Sequence, residues 1–97
     1  MKRIIWSPRS IRDLESIHAH IAQDSPLYAD LVVQRLVRAP DRLQQFPESG
    51  RVVPERGQPE LRELIVRPYR IVYRLRDDSI QIVTIFRASR LFPEITG

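Results

Sequence analysis

Apolar residues recur at two different periods along this chain, and the change of period falls near its midpoint. Ile11, Leu14, Ile17 and Ile21 follow one another at helical spacing, with Arg12, Asp13, Glu15 and Ser16 mostly off the stripe. Ala29, Val32, Val33, Leu36, Val37, Leu43 and Phe46 carry the same spacing through a second helix. Each helix begins at a Ser-Pro pair, Ser7-Pro8 and Ser25-Pro26, where serine caps open amides and proline supplies the first helical φ. Only a few residues join the two, which predicts an antiparallel helix hairpin. Pro40 removes a backbone donor and crowds the turn before it, so a kink or break is expected near Ala39.

Strands flank this helical half. Arg3 to Trp6 reads as a short one before the first helix. After Pro47-Glu48-Ser49-Gly50 comes a polar loop from Arg51 to Glu60, with a short strand at Arg51 to Val53. Alternation then takes over in Leu61 to Val66, Tyr69 to Arg76 and Ile80 to Phe86, joined tightly at Arg67-Pro68 and Asp77-Asp78-Ser79. The expected class is α+β, one domain over 1–97. A helix hairpin covers one face of an antiparallel sheet, in the order β-α-α-β-β-β.

Alternation also assigns the faces. Tyr69, Ile71, Tyr73 and Leu75 share one, with Ile80, Ile82, Thr84 and Phe86 beside them, and this set belongs under the helices. The other face gathers Val72, Val83 and Ile85 into an apolar strip bordered by Arg70, Arg74, Arg76 and Arg87. Two helices cannot cover both sides of such a sheet. An amphipathic partner segment carrying acidic residues fits the side left open.

Composition removes several chemistries. At 42% hydrophobic the chain can fill one core, yet its apolar runs are too short for a membrane span. Met1 to Trp6 is too short in its apolar part for a secretory signal, so a cytoplasmic location is expected. Cysteine is absent, which excludes disulfides, thiolate catalysis and cysteine-bound metals. His18 and His20 point apart on a helix and no second cluster joins them, so neither a metal nor a cofactor is expected. The net charge is +4, and the segment from Arg67 to Arg90, six arginines against Asp77 and Asp78, carries that same net. A basic strand region of this kind suits a polyanion or an acidic partner.

Particular words at particular places complete the reading. Asp13-Leu14 with Ile17 and Ile21, Leu43 with Phe46-Pro47, Gly50-Arg51 and Leu61-Arg62-Glu63-Leu64 come in order. Tyr69-Arg70-Ile71-Val72-Tyr73-Arg74 and Ile85-Phe86-Arg87-Ala88-Ser89-Arg90 follow. Together they resemble the RelE/ParE superfamily, the toxin halves of bacterial type II toxin–antitoxin pairs, over almost the whole chain. The resemblance implies a cognate antitoxin whose C-terminal amphipathic segment, with acidic residues, wraps the toxin. Arg62, Arg70, Val72, Arg74, Val83 and Ile85 are the expected antitoxin contacts.

Two activities divide that superfamily. RelE-like members cut messenger RNA on the ribosome, whereas ParE-like members poison DNA gyrase. Metal-free RNA cleavage requires a base, an acid and cations around the phosphate. The RelE-like pattern supplies loop lysines, an arginine on the first meander strand and a C-terminal tyrosine or histidine. Here the loop from Arg51 to Glu60 has no lysine, the strand position falls near Ile65, and Leu91-Phe92-Pro93 follow Arg90. No catalytic residue is therefore assigned. A ParE-like binder of gyrase is the expected function, with Arg67, Arg87 and Arg90 meeting the target. Arg87-Ala88-Ser89-Arg90 departs from the histidine-glycine-arginine-arginine word frequent in that branch, so a RelE-like ribonuclease stays open as the alternative, as does a member that only binds its antitoxin.

Overall fold

The computed structural model of the protein describes residues 1–95. Strand β1 (Arg3–Trp6) leads into helix α1 (Pro8–Ala22) and helix α2 (Pro26–Arg38). Both helices start as the Ser-Pro pairs require. Ser7 accepts from the Ser10 amide and Ser25 from the Tyr28 amide, with proline at the first helical turn in each. Pro40 ends the α-helical hydrogen bonding at Arg38, and the chain continues as a 3₁₀ helix over Ala39–Gln44. Then come β2 (Arg51–Val52), β3 (Leu61–Val66), β4 (Tyr69–Leu75) and β5 (Ser79–Arg87). No helix among the described residues is long and apolar enough to cross a membrane.

The five strands form one sheet in the order β1-β5-β4-β3-β2. The meander β3-β4-β5 is antiparallel as expected, but β1 lies parallel to β5, pairing Arg3 with Ser79 through Trp6 with Ile82. The sheet is therefore mixed, a correction to the all-antiparallel expectation. Between β1 and β5 lie both helices and the other three strands, more than the length a parallel connection needs.

Under the helices, Leu14, Val32, Leu36 and Leu43 meet Leu64, Tyr69, Ile71, Tyr73, Ile80, Ile82 and Ile85. Each fully buried Leu or Ile here contributes about 1.5–3 kcal/mol. Tyr73 is the largest fully buried side chain, and its hydroxyl donates to the Pro47 carbonyl (2.8 Å) while accepting from the Gly50 amide (3.0 Å). Ile11 and Phe46 keep the helical spacing but stand exposed.

The faces of β5 require a second correction. Val72 opposes Thr84 while Tyr73 opposes Ile82, so Val83 is an extra residue, a β-bulge. A one-residue insertion inverts every later side chain. Ile85 therefore lies under the helices, 2% exposed, and not in the outer strip. Phe86 moves to the outer face, beside Val72. Arg87 turns to the helix side, its guanidinium 5.8 Å from the centre of the Tyr69 ring.

The bulge falls where β1 ends. Ser7 donates its amide to Ile82 O and its hydroxyl to Val83 O as the chain turns into α1. Past that point the edge of β5 is sealed by Asp13 of α1, whose carboxylate accepts from Thr84 Oγ1 (2.6 Å) and the Ile85 amide (2.9 Å).

Candidate functional site

The sheet face away from the helices is not bare. Val53, Leu61, Val72 and Phe86 form a second, smaller apolar cluster, with Val83, Phe92 and Ile95 against it. The segment after β2 and the tail after β5 supply the cover. Val72, expected to be an outward contact, is fully buried by the chain itself.

A ladder of charges runs through this cluster. Glu63 of β3 is 1% exposed and accepts from Arg51 Nε of β2 and Arg70 Nε of β4, each at 2.6 Å. Arg70 then grips Glu55 bidentately, Nη1 and Nη2 each 2.8 Å from a carboxylate oxygen. Its guanidinium also lies 5.1 Å from the Phe86 ring centre and 5.4 Å from that of Phe92. Every face of Arg70 is thus engaged within the chain. The hydrogen bonds from Arg70 hold the Glu55 carboxyl down at about 2, against an ordinary 4.5, and Arg70 is itself raised by the same pairing.

Glu55 gives a pH prediction. Its folded pKa is depressed, so its contribution is complete above about pH 4.5 and declines as pH falls towards about 2. Its side chain is 42% exposed, so solvent screens much of the effect. Chemical unfolding between those pH values should show a steeper stability loss in the wild type than in Glu55→Gln. Parallel slopes would remove Glu55 from the acid response.

The remaining expected antitoxin contacts differ in availability. Arg62 is tied to the backbone, donating to the carbonyls of Pro59, Glu48 and Gly50. Val83 is partly exposed at the bulge. Arg74 is 5% exposed and has no ion pair among the described residues.

At the opposite end of the strands the exposed arginines collect. The turn carrying Arg67 sits beside the end of β5, where the Ala88 amide donates to Pro68 O (2.8 Å) and Tyr69 pairs with Arg87. Arg35 of α2 donates to Arg67 O (2.7 Å), fixing the turn against the helices. Arg67, Arg87 and Arg90 all stay exposed. Between α1 and the end of β5 runs a groove of about 380 Å³, lined by Arg9, Asp13, His20, Tyr69, Arg87 and Arg90 among others. In it Asp13 is occupied by its two strand donors, and Tyr69 is 4% exposed beneath Arg87. His20, on the exposed side of α1, was weighed from sequence only as a metal ligand, set aside for want of partners, and given no site role. The groove gathers guanidinium cations at one strand end, while Ile65 stands 44% exposed on β3 and Phe92 packs inward on Phe86.

A strand, a helix pair and a five-stranded mixed sheet with an arginine-rich end define a small toxin of the RelE/ParE superfamily, the toxin half of a type II toxin–antitoxin pair. The family model described as ParE toxin of type II toxin–antitoxin system, parDE, matches residues 4–92, and the chain belongs to that family. Toxin RelE2 of Caulobacter vibrioides is 40% identical over 92 residues, spanning 94% of this chain and 100% of that protein. Among solved structures, one titled as the chromosomal ParDE system from P. aeruginosa aligns with TM-score 0.76 and 29% identity, over 90% of this chain and 96% of its own. A conserved hypothetical protein of Helicobacter pylori shares the fold, with TM-score 0.58 and 20% identity over 95% of this chain and 100% of its own.

Proposed function

We propose that the protein arrests growth by binding DNA gyrase in the cytoplasm, and that its cognate antitoxin neutralises it. Arg67, Arg87 and Arg90 are the target contacts in this reading. The observation that carries it is the composition of the basic end. Three exposed guanidiniums stand there with a single histidine, His20, and no second free acid or base among the described lining residues, because Asp13 is bonded to β5 and Tyr69 is buried. Cations alone stabilise charge and hold a surface, but they do not move the protons that RNA cleavage needs. The family match is with ParE toxins, and the toxin–antitoxin system that the family's description names fits an antitoxin partner.

The second reading is a ribosome-dependent ribonuclease. Two observations favour it: the name RelE2 of the relative 40% identical to this chain, and His20 in the arginine-lined groove. Gyrase supercoiling assays and toe-printing of translated messages separate the two. The expected result is inhibition of supercoiling, with potency falling about a hundredfold or more in the variant combining Arg87→Ala and Arg90→Ala, as loss of two arginine anchors implies. That variant should still form the antitoxin complex. Message cleavage at ribosomal A-site codons with supercoiling untouched would overturn the gyrase reading, and undiminished potency of the double variant would remove both arginines from the contact.

A further inference from the structure

Arg70 and Arg74 lie four residues apart on β4, both nine-tenths buried, yet only the first is matched with acids. Arg74 pairs across the sheet with Leu61 and Gln81, and among the described residues its Nη2 has no hydrogen-bond partner. Burial, and after it the charge of Arg76, lowers its pKa below the guanidinium norm; Glu60 opposes this and Arg56 adds to it. A buried cation in that state is costly unless an anion meets it.

The surroundings repeat the same demand. Arg74 lines a cleft of about 300 Å³ with Arg9, Arg12, Gln81, Val83 and Ile95, at the start of α1. Three arginines line it and no acid does. The start of a helix is its positive end, where carboxylates are favoured and cations disfavoured. Here the first turn of α1 holds no acid; Arg9, which donates to the Glu94 carbonyl, stands in it, and Arg12 follows directly after it. The unsatisfied fork, the helix end and the cation in its first turn all call for negative charge.

We infer that this cleft is a carboxylate subsite that receives one Asp or Glu side chain of the antitoxin. The inference rests on the reading that a cognate antitoxin covers this side of the toxin. A carboxylate is preferred over a nucleic-acid phosphate for steric reasons. Arg74 is the most buried of the arginines lining the cleft, which suits an acid on a short methylene stem, and Val83 and Ile95 line the cleft as apolar walls for that stem. A phosphodiester carries a sugar on each side and needs an open surface, which Arg74, 5% exposed, does not offer. The planar fork of Arg74 also matches a carboxylate bidentately.

The test is a double-mutant cycle on the full-length toxin and its antitoxin, followed by calorimetric titration. Arg74→Gln is paired with single amide replacements of each antitoxin Asp and Glu. Arg74→Gln should weaken the complex at least about tenfold. One antitoxin acid should show the same loss, and combining the two should cost no more than either alone. Free Arg74→Gln toxin should unfold at the same denaturant concentration as wild type or a higher one, a result that a merely structural arginine would not give. Should Arg74→Gln fail to fold, Arg12→Gln on the exposed side of α1 serves in its place, with a smaller loss coupled to the same acid. Affinity within twofold of wild type, or additive losses with every acid, would overturn the subsite. So would loss of binding to a single-stranded RNA oligonucleotide with the antitoxin complex intact. Wild-type toxin that does not bind its antitoxin at all would instead overturn the broader reading on which the subsite rests.

Discussion

Glu63→Ala is expected to lower the unfolding free energy by about 3–5 kcal/mol, the cost of breaking a buried ion pair from one side. The Glu63 side chain is wholly buried and receives two guanidiniums, Arg51 from β2 and Arg70 from β4. Removing it strips Arg70 of its most buried acid while leaving the cation under Phe86 and Phe92. Glu55 remains, but its partly exposed carboxylate cannot replace a contact on the other side of the fork. A domain of this size has about 5–15 kcal/mol in all, so the variant should be largely unfolded in mild urea. The complementary variant, Glu63→Leu with Arg70→Met, should recover much of the loss, because neither charge is then buried alone. Urea unfolding followed by circular dichroism measures both. A single variant within about 0.5 kcal/mol of wild type would mean the ladder carries little stability.

Gly50→Ala is the second large effect, expected at about 3 kcal/mol. A Cβ at residue 50 would lie 2.6 Å from the Glu63 carbonyl oxygen, 2.6 Å from the Tyr73 hydroxyl and 2.8 Å from the Tyr73 ring. Neither neighbour can yield. The carbonyl belongs to β3, paired on both sides, and the tyrosine is fixed by its bonds to Pro47 O and the Gly50 amide. Gly57 is the internal control, because its φ is +65° but nothing lies within 4 Å of an added Cβ. Alanine there meets only the left-handed backbone penalty, about 1–2 kcal/mol. Equal midpoints for the two alanine variants would refute the steric account of Gly50.

Local rules carried most of the element boundaries. Serine followed by proline specifies a helix start through one capping oxygen and one fixed φ, and both starts fall where expected. The turns at Arg67-Pro68 and Asp77-Asp78 were equally readable. What alternation could not show is an extra residue within a strand. Val83 sits in an unbroken run of β-favouring residues, so the phase reversal that sends Ile85 inward and Phe86 outward leaves no local mark. The pairing of β1 with β5 was likewise hidden, because a parallel neighbour is chosen by the crossover and not by either strand's sequence.

The charges followed the same division. The clustering of Arg67, Arg87 and Arg90 follows from strand order alone, and the structure brings those three to one end. The pairing of Arg70 with Glu55 and Glu63 depends on a loop folding back over the sheet, which no spacing reveals. Arg9 and Arg12 were passed over, although a signal existed. A cation in the first turn of a helix opposes its dipole, and Arg9 stands there with no acid in that turn and Arg12 directly after it, a pattern that favours an anion nearby.

The link between Ser7 and Val83 spans 76 residues, and among the described strands β1 pairs with β5, the last of the five in chain order. During synthesis the two helices emerge with their greasy sides unmatched, and the sheet cannot close until β5 leaves the exit tunnel. A truncated product lacking that strand has neither a complete core nor an assembled arginine end. The arginine end thus assembles only after β5 has been made, and copies cut short before that strand go to proteases as unfolded polypeptide.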